Sequence, residues 1–461
     1  MKNDAMQRPA GFQVRTRSTA SHFFGDRSGP RWNASLPLVF CAALLAVWLP
    51  ARGQAQVNTG STGSDGAFNP TTNIVINMAD HPTGIYQYTS VNISNGVTVT
   101  FIPNANNAPV TWLVQGDCTV AGTVSVSGAD TSGAVAGGQG GPGGWRAGNA
   151  ALSSTSLPGP GVGPGGGSVG TDTSFYGGNA SFGTVGGWNT NNVQNSGWQY
   201  EYPQFPPGPV YGSVFEVPLV GGSGGSGGRD FGGGGGGGAI LIAASGTVTV
   251  SGSILAKGGS GGYWYYVPGY GSYWSGTAGA GSGGAIRLVA TGICGSGTLD
   301  TSGGQAYYGE YSTGYSSVNY FDNAGSGRIR LDGLSITFNG PTTGVITTGF
   351  QPIIVPLSNQ IASLSVASIG AVAVSANPSG ILVTPDAIIS GQQPNPMPIV
   401  VQCSNLPLNT PITVTVKPAN GSSISAVGYN NTGTLASSTA TILLNMPRGG
   451  GIIYATTAMG N

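Results

Sequence analysis

Charge is what this chain has least of. Asp, Glu, Lys and Arg make up 7% of its 461 residues, where about a quarter is usual in soluble domains. An ordinary charged cytosolic enzyme fits badly. So does charged disorder, which needs low hydrophobicity and high net charge; here 39% is hydrophobic and the formal charge is zero. Beyond residue 55 there is no basic cluster. No nucleic-acid partner is expected, because phosphate neutralisation needs several Lys or Arg together. Collagen is excluded, since no strict G-X-Y period runs through the glycines.

Histidine is scarcer still. His22 and His81 are the two present. A Ser–His–Asp triad beyond residue 55 would have to use His81, which sits in the turn-like ADHPTG and reads as a solvated turn residue. Cysteine is limited to Cys41, Cys118, Cys294 and Cys403, with no CxxC and no HExxH, so no zinc site is expected. The last three read as buried small apolar residues, and their spacing does not support a Cys118–Cys294 bridge. The run GGSGGSGGRDFGG carries one acid, Asp230, where a Ca²⁺ site wants several oxygen ligands. No Lys-Ser or Lys-Thr follows the glycine runs, as a phosphate loop requires. No cofactor and no metal are expected.

A long transmembrane run is also missing. Residues 1–55 hold Lys2, Arg8, Arg15, Arg17, Arg27, Arg31 and Arg52 against Asp4 and Asp26. Within them lies LPLVFCAALLAVWLP (36–50), then ARGQAQ. A basic leader, a short apolar run and small residues make a signal peptide, with cleavage expected after Ala55. The run is shorter than the ~20 residues that span a bilayer. Cys41 lies inside it rather than after a small residue at its end, which disfavours a lipoprotein signal. No transmembrane span is expected in the mature chain, which would be secreted or held at the cell surface.

What the chain has in abundance is glycine, 84 residues, with 30 prolines. Three segments share a frame: APVTWLVQGDCTVAGTVSVSG (108–128), GAILIAASGTVTVSGSILAKGG (238–259) and GAIRLVATGICGSGTLDTSGG (284–304); GRIRLDGLSITFNGPTTGVITTG (327–349) is a looser fourth. Each opens on an alternating strand and continues through a second short strand to a glycine. Period-two alternation implies one buried face per strand. A unit of about 21–23 residues cannot bury its apolar row alone, but stacked neighbours can. A parallel β-solenoid over 72–350 is expected, with Val110, Ile240, Ile286 and Ile329 in one interior row. A sandwich of hairpins is the alternative.

Insertions over 139–231, 260–280 and 305–324 interrupt the units. They hold 14 of the 18 tyrosines and five of the eight tryptophans, so the aromatics lie between the units. The candidate binding residues are Tyr263, Trp264, Tyr265, Tyr266, Tyr270, Tyr273, Trp274, Tyr307, Tyr308 and Tyr311. Pro268-Gly269 and Gly271-Ser272 should prevent a regular strand, leaving some rings exposed as a contact face. Insertions at one corner of successive coils project from one side.

DGAFNPTTN, TSVNISNGVTVTFIPN, PVTWLVQGDCTVAGTVSVSG and the repeated GGAIxLxA resemble segments of glycine-rich exported bacterial proteins, which are similar to right-handed parallel β-helix (pectin-lyase-like) surface proteins. The resemblance covers roughly residues 64–349 and implies a fold, not an activity. From 359 to 461 glycine falls to ten residues and seven or eight short alternating strands can be drawn. That suggests an immunoglobulin-like sandwich, and the region resembles the Ig-like modules that accompany such proteins. The division expected is thus a signal peptide (1–55), an N-terminal linker (56–71), the glycine-rich solenoid (72–350) and an Ig-like β-sandwich (359–461), all-β throughout.

The fold implied by the resemblance also hosts polysaccharide lyases and hydrolases, which work through clustered acids. Asp117, Asp300 and Asp332 lie in the repeat units in different registers and read as exposed acids; glycoside hydrolysis needs two carboxyls within ~5–10 Å. Arg287 and Arg330 share an outward position, with Arg328 nearby, and read as solvated side chains or an anion-binding strip. The function expected is therefore structural or adhesive, with carbohydrate or another surface polymer as partner and self-association open. A lyase or hydrolase is the alternative. Export can be checked by N-terminal sequencing of material outside the cell: a start near Gln56 is expected, and a retained 1–55 segment would refute it.

Overall fold

The computed structural model describes residues 56–131, 135–153, 156–169, 177–187, 205–262, 265–266, 273–274, 278–309, 319–349, 362–375, 378 and 385–457. The segment read as a signal peptide lies outside them.

Short runs of Val, Ile and Thr, punctuated by glycine, form parallel strands in two sheets, and the chain alternates between the sheets. In the first, β1 (Gly66–Phe68), β3 (Ile85–Ile93), β5 (Val110–Val114), β8 (Ala239–Val250), β12 (Ala285–Cys294), β16 (Arg328–Ile336) and β18 (Val345–Gly349) lie side by side in that order; β6 (Cys118–Val120) lies between β3 and β8. In the second, β2 (Ile74–Asn77), β4 (Thr98–Ile102), β7 (Thr123–Ser125), β9 (Ser253–Leu255), β13 (Thr298–Asp300) and β17 (Thr342–Thr343) stack in chain order. Each pass through both sheets lies on the pass before it.

The register follows the apolar alternation. Val110 pairs with Ile240, Ile240 with Ile286, and Ile286 with Ile329. Opposite them, Val99, Val124, Ile254 and Leu299 form the matching row. The two rows meet in one core with Trp112, Ile242, Leu288 and Leu331. Full burial of each such side chain stabilises by roughly 1.5–3 kcal/mol. A one-residue slip would turn a whole row outward, so the register is strongly specified.

The middle strands are buried on both faces, not on one. Leu241, Ala243 and Val289 point away from the core and are covered by Val57 and Leu219. This is why AILIAA reads as a continuous apolar run, as parallel strands covered on both sides do. Residues 57–63, expected to be a linker, instead form a strap across successive strands. Val57 N donates to Thr291 Oγ1 (2.8 Å), Thr59 Oγ1 to Val114 O (3.1 Å), and Ser61 Oγ to Tyr88 O (3.0 Å).

The glycine runs bond to one another through their backbones. Residues 232–238 lead into β8, 278–284 into β12 and 325–327 into β16, and all but the half-buried Ser326 are buried. Their amides bond outward with a period of three. Gly233 and Gly236 donate to Gly148 and Trp145, Gly234 and Gly237 to Gly279 and Ser282, and Gly235 and Gly238 to Ala129 and Val126. Three residues per turn with no bonds inside the segment is the pattern of a polyproline II chain. Each such segment therefore bonds to several neighbours at once. The glycine stretches of the insertion at 139–231, read as outward loops, belong to this buried layer: Gly225 donates to Gly234, Gly148 to Gly225 and Gly167 to Gly224.

The C-terminal region forms two antiparallel sheets. One orders β20 (Val372–Ala373), β19 (Ser363–Ile369), β21 (Met397–Ser404), β25 (Ser438–Leu444) and β24 (Thr432–Gly433); the other orders β23 (Ile424–Tyr429), β22 (Pro411–Pro418) and β26 (Gly451–Thr456). Ile399, Val401 and Cys403 pack with Ile412, Val414 and Val416 between them. The strand expected at 381–383 lies outside the described residues. This module meets the glycine layer through polar tips. Buried Lys417 donates from Nζ to Gly161 O, Asn420 Nδ2 to Leu157 O (2.7 Å) and Tyr454 Oη to Gly163 O (3.2 Å). Burial pushes the Lys417 ammonium down to about 7.

A side chain in the glycine layer should be intolerable. A Cβ on Gly235 would lie 2.0 Å from Gln139 O, whereas one on Gly391 would meet nothing within 4 Å. Gly235→Ala is expected to destabilise by about 3 kcal/mol or more, and Gly391→Ala to change stability by less than about 0.5 kcal/mol. Denaturant unfolding of both variants is the check, and equal midpoints would refute the layer.

Candidate functional site

The aromatic insertions are paired segments. Tyr265–Tyr266 (β10) pairs antiparallel with Tyr273–Trp274 (β11), and Gln305–Gly309 (β14) with Asn319–Asn323 (β15). The breaks at 268–272 thus lie between two short strands rather than abolishing strand structure. Tyr307 pairs with Phe321 and Tyr308 with Tyr320. Tyr263, Trp264, Tyr270 and Tyr311 lie outside the described residues, as do the side chains of the other six candidates.

The arginine strip is not solvated. Arg287 is 2% exposed, and its Nη2 donates to Asp332 Oδ2 at 3.1 Å. Arg330 reaches Asp332 Oδ1 at 2.7 Å, and Arg328 Nη2 donates to Tyr211 O at 3.0 Å. Phe182 and Phe215 lie under the guanidinium groups of Arg328 and Arg330. Glu216 is buried too, its Oε1 without a hydrogen-bond partner among the described residues. Burial raises its carboxyl to about 8, against the pull of Arg328 and Arg287. This cluster joins the outer face of the first sheet to the segment at 205–220. Of the acids expected to be exposed, Asp332 is therefore buried and committed to two arginines. Asp117 Oδ1 accepts from Thr247 N (2.7 Å), and Asp300 Oδ1 from Ser302 N (2.8 Å).

An open cavity lies at the N-terminal end of the coil stack. There the interior row ends on Tyr86 and Tyr88, which pair with Trp112 and Val114 of the next pass. Phe68 stacks on Tyr88 at 5.1 Å. A short 3-10 turn, Met78–Asp80, crosses the end and buries Met78, with Asn77 Oδ1 accepting from Ala79 N at 3.1 Å. The cap leaves a cavity of about 390 Å³, floored by Ile74, Ile76, Phe68 and Tyr88. Its polar lining is Asp65, Asn77, Asp80, His81 and Tyr86.

That lining is tightly organised. Asp65 Oδ2 accepts from Gln87 N at 2.5 Å, and its Oδ1 lies 3.6 Å from His81 Nε2. His81 stacks on Tyr86 with centroids 4.1 Å apart. It is thus a turn residue, as the sequence suggested, but a half-buried one packed on a ring rather than a solvated one. Tyr86 is 3% exposed, and its Oη has no hydrogen-bond partner among the described residues. Burial, then Asp65 and Asp80, push this phenol up to about 12. The sequence reading passed over Asp65, Phe68, Asp80, Tyr86 and Tyr88. Their signal was the density of acids and rings in DGAF and MADHPTGIYQY.

No protein-family model, curated protein or solved structure matches this chain. Among the described residues no group of His, Cys, Asp and Glu could hold a metal ion, and no helix is long and apolar enough to cross a membrane. Cys118, Cys294 and Cys403 are free thiols; burial pushes the Cys118 thiol up to about 12.

The buried ion cluster has a measurable consequence. Asp332→Asn leaves two guanidinium groups, one fully buried, without their carboxylate, and should destabilise by about 3 kcal/mol. Lys257→Ala breaks an exposed pair with Asp300 at 4.0 Å and should shift stability by less than about 1 kcal/mol. Unfolding curves that rank the two the other way would refute the assignment.

Proposed function

We propose that this chain is an exported, non-catalytic structural and adhesive protein. On this reading the two parallel sheets and the glycine layer make a right-handed parallel β-helix, and the C-terminal sheets make an Ig-like module. The mature protein, from about Gln56, is secreted or held at the cell surface. Its aromatic insertions contact carbohydrate or another surface polymer weakly and repeatedly.

The observation that carries this reading is where the hairpins leave the stack. The β10–β11 pair lies between β9 and β12, and the β14–β15 pair between β13 and β16. Both insertions thus follow a short strand of the second sheet and precede a long strand of the first, at the same point of successive passes. A stack with that arrangement presents its aromatic segments along one side. Flat rings on one side suit the faces of sugar rings, and repetition along a rod multiplies weak contacts. A lyase or hydrolase on the same scaffold has less support. Asp332 is bound to arginines, and Asp117 and Asp300 each accept from backbone amides.

The test is retention on a panel of insoluble polysaccharides. A Trp264→Ala/Trp274→Ala double variant, its fold checked by circular dichroism, removes two rings. At ~1 kcal/mol per aromatic contact and 1.4 kcal/mol per tenfold, retention should fall roughly 30-fold. A folded double variant that binds as wild type does would refute the aromatic-face reading.

A further inference from the structure

We propose that the C-terminal module docks on the glycine layer through a proton-released clamp: it seats when Lys417 gives up its proton and comes free when Lys417 takes one up. The device does not depend on what the aromatic insertions contact.

The geometry is that of a lysine on the wrong side of a sheet. Along β22, Val414 and Val416 face the module core, and Thr413, Thr415 and Lys417 alternate with them on the outer face. In a free sandwich that face meets water, where lysine is normally found. Here Thr415 is 8% exposed and Lys417 7%. The cover over Lys417 is the glycine segment at 157–166. Lys417 Nζ donates to Gly161 O, and a Cβ on Gly166 would lie 2.5 Å from Nζ, so bare backbone makes the seat. Beside it Asn420 Nδ2 donates to Leu157 O and Tyr454 Oη to Gly163 O. All three donors belong to the module, and all three acceptors are main-chain carbonyls of one short segment. The apolar core of the module contains no residue of the parallel sheets or of the glycine layer. The module can therefore leave without opening either core.

Charge decides when it leaves. An ammonium carries three donors, and among the described residues Gly161 O is the acceptor offered to them. The titratable groups on the elements packed around Lys417 are Tyr454 on β26, Tyr429 on β23, Arg448 in the turn before β26, Arg146, whose carbonyl accepts from Val162 N, and Tyr211, which lies against Gly165. None is a carboxylate. Glu216, the acid of the segment at 205–220, acts on Tyr211, whereas burial alone acts on Lys417. A protonated Lys417 is thus dehydrated with no counter-charge, which disfavours the charged form. Burial pushes the group from its ordinary 10.5 down to about 7. Once the module is free, the outer face of β22 returns to water and the amine to its ordinary value. Docking therefore expels a proton between pH 10.5 and about 7. Each unit of acidification within that window weakens docking about tenfold. Below about 7 the seated amine is itself protonated, and the loss levels off.

The experiment uses the whole mature chain and reads Lys417 directly. Beyond residue 55 the lysines are Lys257 and Lys417, so acetylation of each is resolved by peptide mass. A dilute N-hydroxysuccinimide ester of acetic acid is added between about pH 7.5 and about pH 9.5, with free Nα-acetyl-lysine in the same tube as reference. Only an accessible, neutral amine reacts. The reference gains about tenfold per pH unit as it deprotonates. For Lys417 that gain is cancelled, because the same deprotonation seats it. The ratio of Lys417 to reference should therefore fall roughly 100-fold across the range. A flat ratio overturns the proposal, and so does a folded chain in which Lys417 is never labelled. Asn420→Ala removes a neighbouring interface donor and should raise Lys417 labelling at least threefold with Lys257 unchanged. Unaltered Lys417 labelling in that variant would mean that the amine opens alone, without the module, and also overturns it. Glu216→Gln should keep the slope of the ratio; loss of the slope there would move the proton to Glu216 and refute the role of Lys417.

Discussion

Every buried backbone amide must find an acceptor, and in this protein that requirement falls on segments with almost no side chains. An unpaired N–H or C=O away from water costs several kcal/mol. The glycine layer meets the requirement by turning successive amides toward different neighbours. Gly233, Gly234 and Gly235 each donate to a different segment. The geometry brings backbones so close that a methyl group has no room: a Cβ on Gly284 would lie 1.8 Å from Gly238 O. Glycine is retained there for contact distance, as at the crowded axis of collagen. Dispersion and hydrogen bonding between bare backbones replace the side-chain packing of an ordinary core.

The two sheets depend on that layer. Gly238, Gly284 and Gly327 immediately precede the long strands of the first sheet, and each lies against its counterpart in a neighbouring pass: Ala285 N donates to Gly238 O, and Arg328 N to Gly284 O. Register set in the layer is thus passed directly to Ile240, Ile286 and Ile329. The outer face of the same sheet is closed by the strap at 57–63 and the segment at 205–220. Beneath that cover the sparse charges of the chain are spent on one another. Arg328, bonded to Tyr211 O, and Arg330, over Phe215, tie the cover down; Asp332 pairs with Arg287 and Arg330 beneath it, and removing one partner is far more damaging than never having had the pair.

The parallel rows were legible because they obey one rule, a period of two with glycine at the ends. Val110, Ile240, Ile286 and Ile329 could be aligned from that alone. The glycine layer was not, because its period of three is carried by backbone atoms, and any glycine run satisfies it. GGGGGGG has no side-chain pattern to betray which neighbour each amide seeks. The double burial of β8 was hidden for a related reason. Ala243 and Leu241 look like part of an alternating strand until Val57, far away in sequence, is seen to cover them. Arg287 misled in the opposite direction, since a lone outward arginine reads as solvated until Asp332 is placed one strand away. The mouth was the least visible part. Asp65, Asp80 and Tyr86 are separated by strands and a turn, and only the end of the stack brings them together.

A stack of parallel strands buries its middle and leaves chemistry to its ends. Each interior pass is covered above and below, so its side chains are fixed by packing and hold nothing that a ligand could reach. The β10–β11 and β14–β15 pairs belong to neither parallel sheet, and the first pass escapes this constraint by having no predecessor. The end must be capped or it exposes its apolar rows. Here the cap is incomplete: Met78 and Phe68 close most of it, and Asp65, Asp80 and His81 ring the rest. A purely protective cap would place its polar groups on the outside and apolar ones beneath. Tyr86 breaks that rule by burying a hydroxyl beneath the cap with no hydrogen-bond partner among the described residues. Two groups of titratable residues stand out: Arg287, Arg328, Arg330 and Asp332 beneath the covered face, and Asp65, Asp80 and His81 at the open end.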